Sequence, residues 1–154
     1  PTLAEQLFHG APRGQAVALP RAGTNLENPF VYDAVVRSTL LKGSPLVLRG
    51  NRSLLFDSNR VASGTLVIEQ PRAGEFGNTT ITKCDFYMQT LRIFAPAEEG
   101  KGDTVALDKC WFDAGNSPDA IAKVIEDATD DPKNAVKVRL KNPYDKPHGI
   151  VKDE

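Results

Sequence analysis

Apolar residues recur along this chain in short runs that alternate as strands do. The sharpest run is Leu107-Asp-Lys-Cys110-Trp-Phe112: an apolar residue, a small polar or thiol residue three on, and an apolar residue two beyond that. The same six-residue pattern occurs at Val36-Arg-Ser-Thr39-Leu-Leu41, at Phe56-Asp-Ser-Asn59-Arg-Val61 and at Ile81-Thr-Lys-Cys84-Asp-Phe86. The key positions Thr39, Asn59, Cys84 and Cys110 are 20, 25 and 26 residues apart. Seven and nine residues after the first three come Leu46/Leu48, Leu66/Ile68 and Leu91/Ile93. Two strand-like pieces at a fixed offset, repeating at this period, mark a solenoid with one coil per repeat. Alternation turns those leucines and isoleucines inward. It leaves Val47 and Val67 outward, with Arg92 as the outward residue of the next coil.

The coil length and composition choose among solenoids. The asparagine-centred leucine pattern of leucine-rich repeats is absent, and helical repeats need longer units with helical periodicity. Short strands between turns that contain Gly, Pro and Asn fit a parallel β-helix, each strand pairing with its copy one rung away at roughly 4.8 Å. After Phe112 the pattern changes. Gly115 and Asn116 break the chain, and Ser117, Pro118 and Asp119 are suited to the N-cap, first position and first turn of a helix. Ile121, Val124, Ile125 and Ala128 recur at helical spacing, so a helix is expected that stops by Pro132. Ala135–Leu140 then alternates as a strand.

These residues resemble those of right-handed parallel β-helix repeat proteins, whose coils carry an inward Asn, Cys, Ser or Thr at a turn. The segment from Cys110-Trp-Phe-Asp through Ile121, Ile125 and Asp127 to Asp130-Asp131-Pro132 and Val138 is similar to the closing motif of that family. There an Asn-Trp-Trp-Gly-like element leads into a helix, an Asp-Asp-Pro turn and a last strand. This chain has Cys110 in place of Asn and Asp113 in place of Gly. The resemblance spans Val36 to Pro143 and implies a fold and a capping role, with no activity attached.

The expected architecture is therefore all-β: one domain, a small right-handed parallel β-helix of about four or five coils. Residues 1–29 form an N-terminal cap or a degenerate coil, with a short helix over Thr2–Phe8 and a strand over Ala16–Leu19. A terminal cap is required because a solenoid's first rung exposes raw core. Residues 30–116 form the coils, 117–140 the capping helix and strand, and 141–154 a surface tail. Thr39, Asn59, Cys84 and Cys110 form an internal column. Two thiols on neighbouring rungs at one position could pair as a disulfide. Stacked side chains pointing the same way suit a disulfide's crossed geometry poorly, so a stack of free thiols is preferred.

Composition narrows the function classes. A net charge of −1 gives no electrostatic case for nucleic acid or an anionic membrane, and no apolar run approaches the ~20 residues that span a bilayer. The chain begins at Pro1, which suggests processing or excision from something longer, with a secreted, periplasmic or cell-surface location favoured over a cytoplasmic one. No cofactor motif is present, and the two cysteines fall short of any zinc pattern, so neither cofactor nor metal is expected.

Many β-helix proteins act on acidic polysaccharides through carboxylates and basic residues on an outer face. The outward rows here offer Asp57, Asp85, Asp108, Lys83, Lys109 and Arg92, with Asp57 and Asp108 at one repeat position two rungs apart. Charges of this kind also occur on ordinary solvated strands. Asp127, Asp130 and Asp131 could suggest calcium, but turn chemistry explains them. Trp111 could stack on a sugar, although packing on the capping helix is the simpler expectation; Val47 and Val67 are further binding candidates. His9 and His148 have no evident catalytic partner. The leading reading is a non-catalytic structural or carbohydrate-recognition module of a larger protein, with a polysaccharide or protein as partner. The alternative is a lyase or hydrolase of acidic polysaccharide, or an inactive relative.

Overall fold

The computed structural model describes residues 34–152, so the expected N-terminal cap, helix and strand lie outside the described residues. Among the described residues strand accounts for 49% and helix for 4%, so this part of the chain is mostly β. In chain order the elements are β1 (Ala34–Arg37), β2 (Leu40–Lys42), β3 (Leu46–Arg49), β4 (Leu54–Asp57), β5 (Arg60–Glu69) and β6 (Thr79–Thr82). They continue with β7 (Asp85–Phe94), β8 (Asp103–Asp108), β9 (Trp111–Phe112), α1 (Pro118–Ala122), β10 (Ile125–Glu126) and β11 (Val136–Lys141). One sheet runs β1-β4-β6-β8-β11. The other runs β10-β7-β5-β2, with β3 also on β5 and β9 also on β7. The ladders within both sheets are parallel. The chain alternates between the sheets, and each passage through both makes one level of the structure.

The register stacks like on like. In the first sheet Val36, Phe56, Ile81, Leu107 and Leu140 form one inward row. In the second, Leu41, Val61, Phe86 and Phe112 form another, followed along the strands by Leu46, Leu66 and Leu91 and by Leu48, Ile68 and Ile93. All but Leu140 are buried, at 0–3% exposure, in one shared core. Phe86 and Phe112 stack with ring centroids 5.1 Å apart. Full burial of such side chains contributes about 1.5–3 kcal/mol each. Along β7 the buried residues step from Met88 to Leu91, an odd interval that leaves Gln89 and Thr90 together on the outside. Strand alternation slips by one there, and the long strand turns a corner. Gly64 lies opposite Gln89 and Ser44 at this corner, and a Cβ on it would meet the Ser44 Oγ at 2.7 Å.

Between the sheets the chain bends at a single residue with positive φ: Ser38 (50°), Ser58 (57°), Lys83 (56°), Lys109 (56°) and Asn142 (48°). Non-glycine residues rarely adopt this conformation. Here each of the first four bend residues donates its N–H to a carbonyl one level on, of Asp57, Thr82, Asp108 and Lys141 respectively, at 2.8–3.0 Å. On the far side of the bend the N–H groups of Arg60, Asp85, Trp111 and Tyr144 donate back to Thr39, Asn59, Cys84 and Cys110 at 2.9–3.0 Å. The ladder therefore runs through the bend unbroken, which offsets the backbone strain.

Thr39, Asn59, Cys84 and Cys110 follow the bend residue and are all buried in one column. Both cysteines are free thiols. Thr39 Oγ1, Cys84 Sγ and Cys110 Sγ each donate to the carbonyl two residues back. Asn59 acts between levels: its Oδ1 accepts from the Thr39 N–H and its Nδ2 donates to the Val36 carbonyl.

The C-terminal part departs from expectation in two ways. The helix is only Pro118–Ala122, capped by the Ser117 hydroxyl accepting from the Ala120 N–H. Ile125 and Glu126 are in a strand beside Leu91 and Arg92, because the Leu91 N–H on the open edge of β7 donates to the Val124 carbonyl at 2.8 Å. The ladder bond outweighed the helical spacing. The residues after β11 also do more than trail along the surface. Asn142 and Tyr144 repeat the bend below Lys109 and Trp111, which makes Leu140-Lys-Asn-Pro143-Tyr a fifth copy of the corner.

Replacing Asn59 by Leu strands one buried donor and one buried acceptor. It should cost about 1–3 kcal/mol, read as a lower denaturation midpoint at unchanged slope in guanidinium unfolding.

Candidate functional site

The outer row beside the bend reads Arg37, Asp57, Thr82, Asp108 and Lys141 from level to level. Asp57 and Asp108 are thus two levels, roughly 10 Å, apart along the sheet. Neither carboxylate is idle. Asp57 pairs with the Arg37 Nε at 3.1 Å and accepts from the Ser58 hydroxyl at 2.8 Å. Asp108 accepts from the Asn142 side chain at 3.3 Å. Lys83 and Lys109 occupy bend positions one residue beyond this row.

Asp85 is not on a solvated outer row as its alternation suggested. It is 3% exposed. The C-terminal segment folds back over it, and its two carboxylate oxygens accept the backbone N–H groups of His148 and Gly149 at 2.9 and 3.0 Å. The segment is held further by His148 Nε2 on the Lys109 carbonyl and by the His148 ring stacked on Tyr144, centroids 4.1 Å apart. His148 is therefore a strap residue. No local signal pairs Asp85 with residues more than 60 positions later.

Arg92 lies on the outer face of the second sheet, away from Asp57. It pairs with Glu126 at 3.7 Å and Asp131 at 3.8 Å, and its guanidinium covers the Phe94 ring at 4.5 Å. Val47 is 37% exposed beside half-buried Val67 and Arg92 in one register row. Trp111 packs on Tyr87, with centroids 4.9 Å apart and planes tilted by 60°, and Arg60 covers the Tyr87 ring at 4.1 Å. The aromatic partner of Trp111 is thus on the neighbouring strand, where the sequence suggested the helix. Beside this group is an open depression of about 680 Å³ lined by Ser44, Ala62, Gly64, Tyr87, Gln89 and Asp113. Its lining combines an aromatic ring, an amide and a carboxylate with small residues, and sequence reading missed it because that lining comes from four separate levels.

Among the described residues no group of three or more His, Cys, Asp or Glu side chains could hold a metal ion. Asp127, Asp130 and Asp131 are spent on backbone. Asp127 Oδ1 accepts from the Thr129 N–H and hydroxyl at 2.8 and 2.6 Å, and its Oδ2 accepts from the Val138 N–H at 2.7 Å. Asp130 and Asp131 accept the N–H groups of Asp127 and Lys133. Burial raises the Asp127 pKa, but the Thr129 and Val138 hydrogen bonds together, with the Lys137 charge, outweigh it and leave the group below its ordinary value. Asn134 is buried nearby. Its Oδ1 accepts from Ala95 and Val136 and its Nδ2 donates to Ile93, which ties the two sheets at the closing turn. No helix of the described residues is long and apolar enough to cross a membrane.

Comparisons with protein-family models, with curated proteins and with solved structures found no match.

Burial, followed by the adjacent Cys110 thiol, pushes the Cys84 thiol well above the ordinary range. A thiol that stays protonated in the fold but ionises when unfolded favours folding only below the unfolded value of about 8.5. Stability should fall above that pH by about 1.4 kcal/mol per unit from this group. Neither thiol should react with Ellman's reagent before global unfolding. For Asp127 the sign is opposite: its contribution is present above about pH 3.9 and is lost as pH falls below it. Asp127→Asn should cost about 1–3 kcal/mol at neutral pH, and the gap to the parent protein should close in acid-unfolding curves below pH 4.

Proposed function

We propose that this chain is a short right-handed parallel β-helix serving as a non-catalytic structural or carbohydrate-recognition module of a larger protein. The winding is supported by the strict alternation between two parallel sheets, with each strand in register with its copy one level on. Right-handedness follows from the near-universal hand of crossovers between parallel strands of one sheet.

The non-catalytic part rests on one observation: outer charges are answered by the next level. Arg37 pairs with Asp57, Arg49 with Glu69 and Arg92 with Glu126, each across a register position. A general acid or nucleophile needs a carboxylate aimed at substrate, and a pair flanking a glycosidic bond is the usual arrangement. Asp57 and Asp108 stand two levels apart in one row, and each is already engaged by its own neighbour. The recognition part draws on the depression lined by Tyr87, Gln89 and Asp113 beside Trp111, where an aromatic ring and exposed polar side chains meet.

A glycan array on this chain, run alongside depolymerase assays on acidic and neutral polysaccharides, tests the reading. Binding to neutral glycans that Tyr87→Ala weakens at least tenfold, with no product formed, is the expected result for recognition; no binding and no product fits a purely structural module. Turnover of an acidic polysaccharide that disappears in Asp57→Asn or Asp108→Asn overturns both.

A further inference from the structure

We infer that the C-terminal edge of the first sheet is a docking site for an extended segment of another protein, one that places an apolar side chain between acidic ones. Three independent features meet there. The first is the backbone. Among the described residues β11 is the last strand of its sheet, and the carbonyls of Ala135 and Lys141 accept N–H groups from the β8 side. The groups of the even residues therefore face the outer edge. The closing turn already occupies part of that edge: Asn134 takes the Val136 N–H, Ala128 donates to the Val136 carbonyl, and Asp127 takes the Val138 N–H. The Val138 carbonyl and both groups of Leu140 have no partner among the described residues. They offer a short ladder of the kind an added strand uses.

The second feature is the core. The rows that end here are 0–2% exposed at Leu54, Phe56, Ile81, Val105 and Leu107, yet Val138 and Leu140 are only half-buried, as is Ile125. With Ile121 and Ala122 they line a pocket of about 200 Å³ beneath the last level. That space suits one aliphatic side chain from the strand that would form the next level.

The third feature is charge, and it identifies the partner. In each cross-level pair described above, the cation sits on one level and the acid on the next one toward the C terminus. β11 presents Lys137, Arg139 and Lys141 outward. Above them stand Thr104, Ala106 and Asp108. Continuing the rule requires acids on the level that follows. Lys137 is already drawn toward Asp127, and Asp130 lies on the pocket rim. The acids of the partner therefore belong at the Arg139–Lys141 end. No stretch of residues 1–33 places an apolar residue between two acids, so the chain does not carry this segment there. A second copy would set cation against cation along paired β11 edges. The inference goes beyond the proposed function, and its failure leaves the glycan and depolymerase results untouched.

The test is fluorescence anisotropy on the full chain with a labelled octapeptide of alternating glutamate and valine, and with its lysine–valine counterpart. The acidic peptide should bind in the micromolar range and the basic one at least tenfold more weakly. Arg139→Glu combined with Lys141→Glu should reverse that preference. Ala122→Trp, an exposed pocket-lining position, should reduce acidic-peptide binding at least tenfold by filling the pocket while leaving every charge in place. Circular dichroism melts confirm that both variants remain folded. Equal binding of the two peptides, binding indifferent to Ala122→Trp, or no binding overturns the inference. So does sedimentation of the parent chain as a dimer that Ala122→Trp dissolves, since a second copy would then be the occupant.

Discussion

The fold depends on a hydrogen-bond ladder that does not stop where the chain changes sheet. A bend normally interrupts pairing and leaves buried backbone groups unsatisfied, at a cost comparable to a lost hydrogen bond for each. Here Ser38, Ser58, Lys83 and Lys109 take up left-handed backbone and still donate to the level that follows. The residue after each bend is buried, so it must be small, apolar or able to satisfy itself. Threonine and the two cysteines do this by donating to a carbonyl two residues back, and Asn59 does it by reaching to the previous level. One requirement thus explains why chemically different residues share a column.

A stack of levels solves its lateral packing but leaves two raw ends and exposed sheet edges, which are templates for unwanted pairing. At the C-terminal end the chain manages this with backbone-directed polar side chains. Asp127 covers the Val138 amide, and Asn134 covers Val136 and ties the turn to Ile93 and Ala95. The strap over Asp85 works in the same way, with two amides of a returning segment meeting one buried carboxylate. Most acids that looked chemically available are therefore committed to backbone or to a cation one level away, and that commitment is the main physical argument against catalysis.

The repeat, the inward rows, the internal column and the strand near residues 135–140 were legible because each depends on spacing alone. A residue's facing along a strand is fixed by parity, and parity can be counted. The corner within each long strand was equally countable: apolar residues two and seven positions after the key residue differ by an odd step, which a straight strand cannot accommodate. The length of the helix was not legible. Ile121, Val124 and Ile125 satisfy a helical face and a strand edge alike, and the Leu91 N–H on the edge of β7, which donates to the Val124 carbonyl, decided between them.

The amino-acid sequence by itself determined which residues could stack and at what interval, because those properties repeat along the chain. Only the tertiary structure decided which polar groups remain usable. The burial of Asp85 by His148 and Gly149, the pairing of Asp57 with Arg37 and the four-level lining of the depression are contacts between distant segments. A carboxylate's availability depends on what covers it, and covering segments carry no periodic signal.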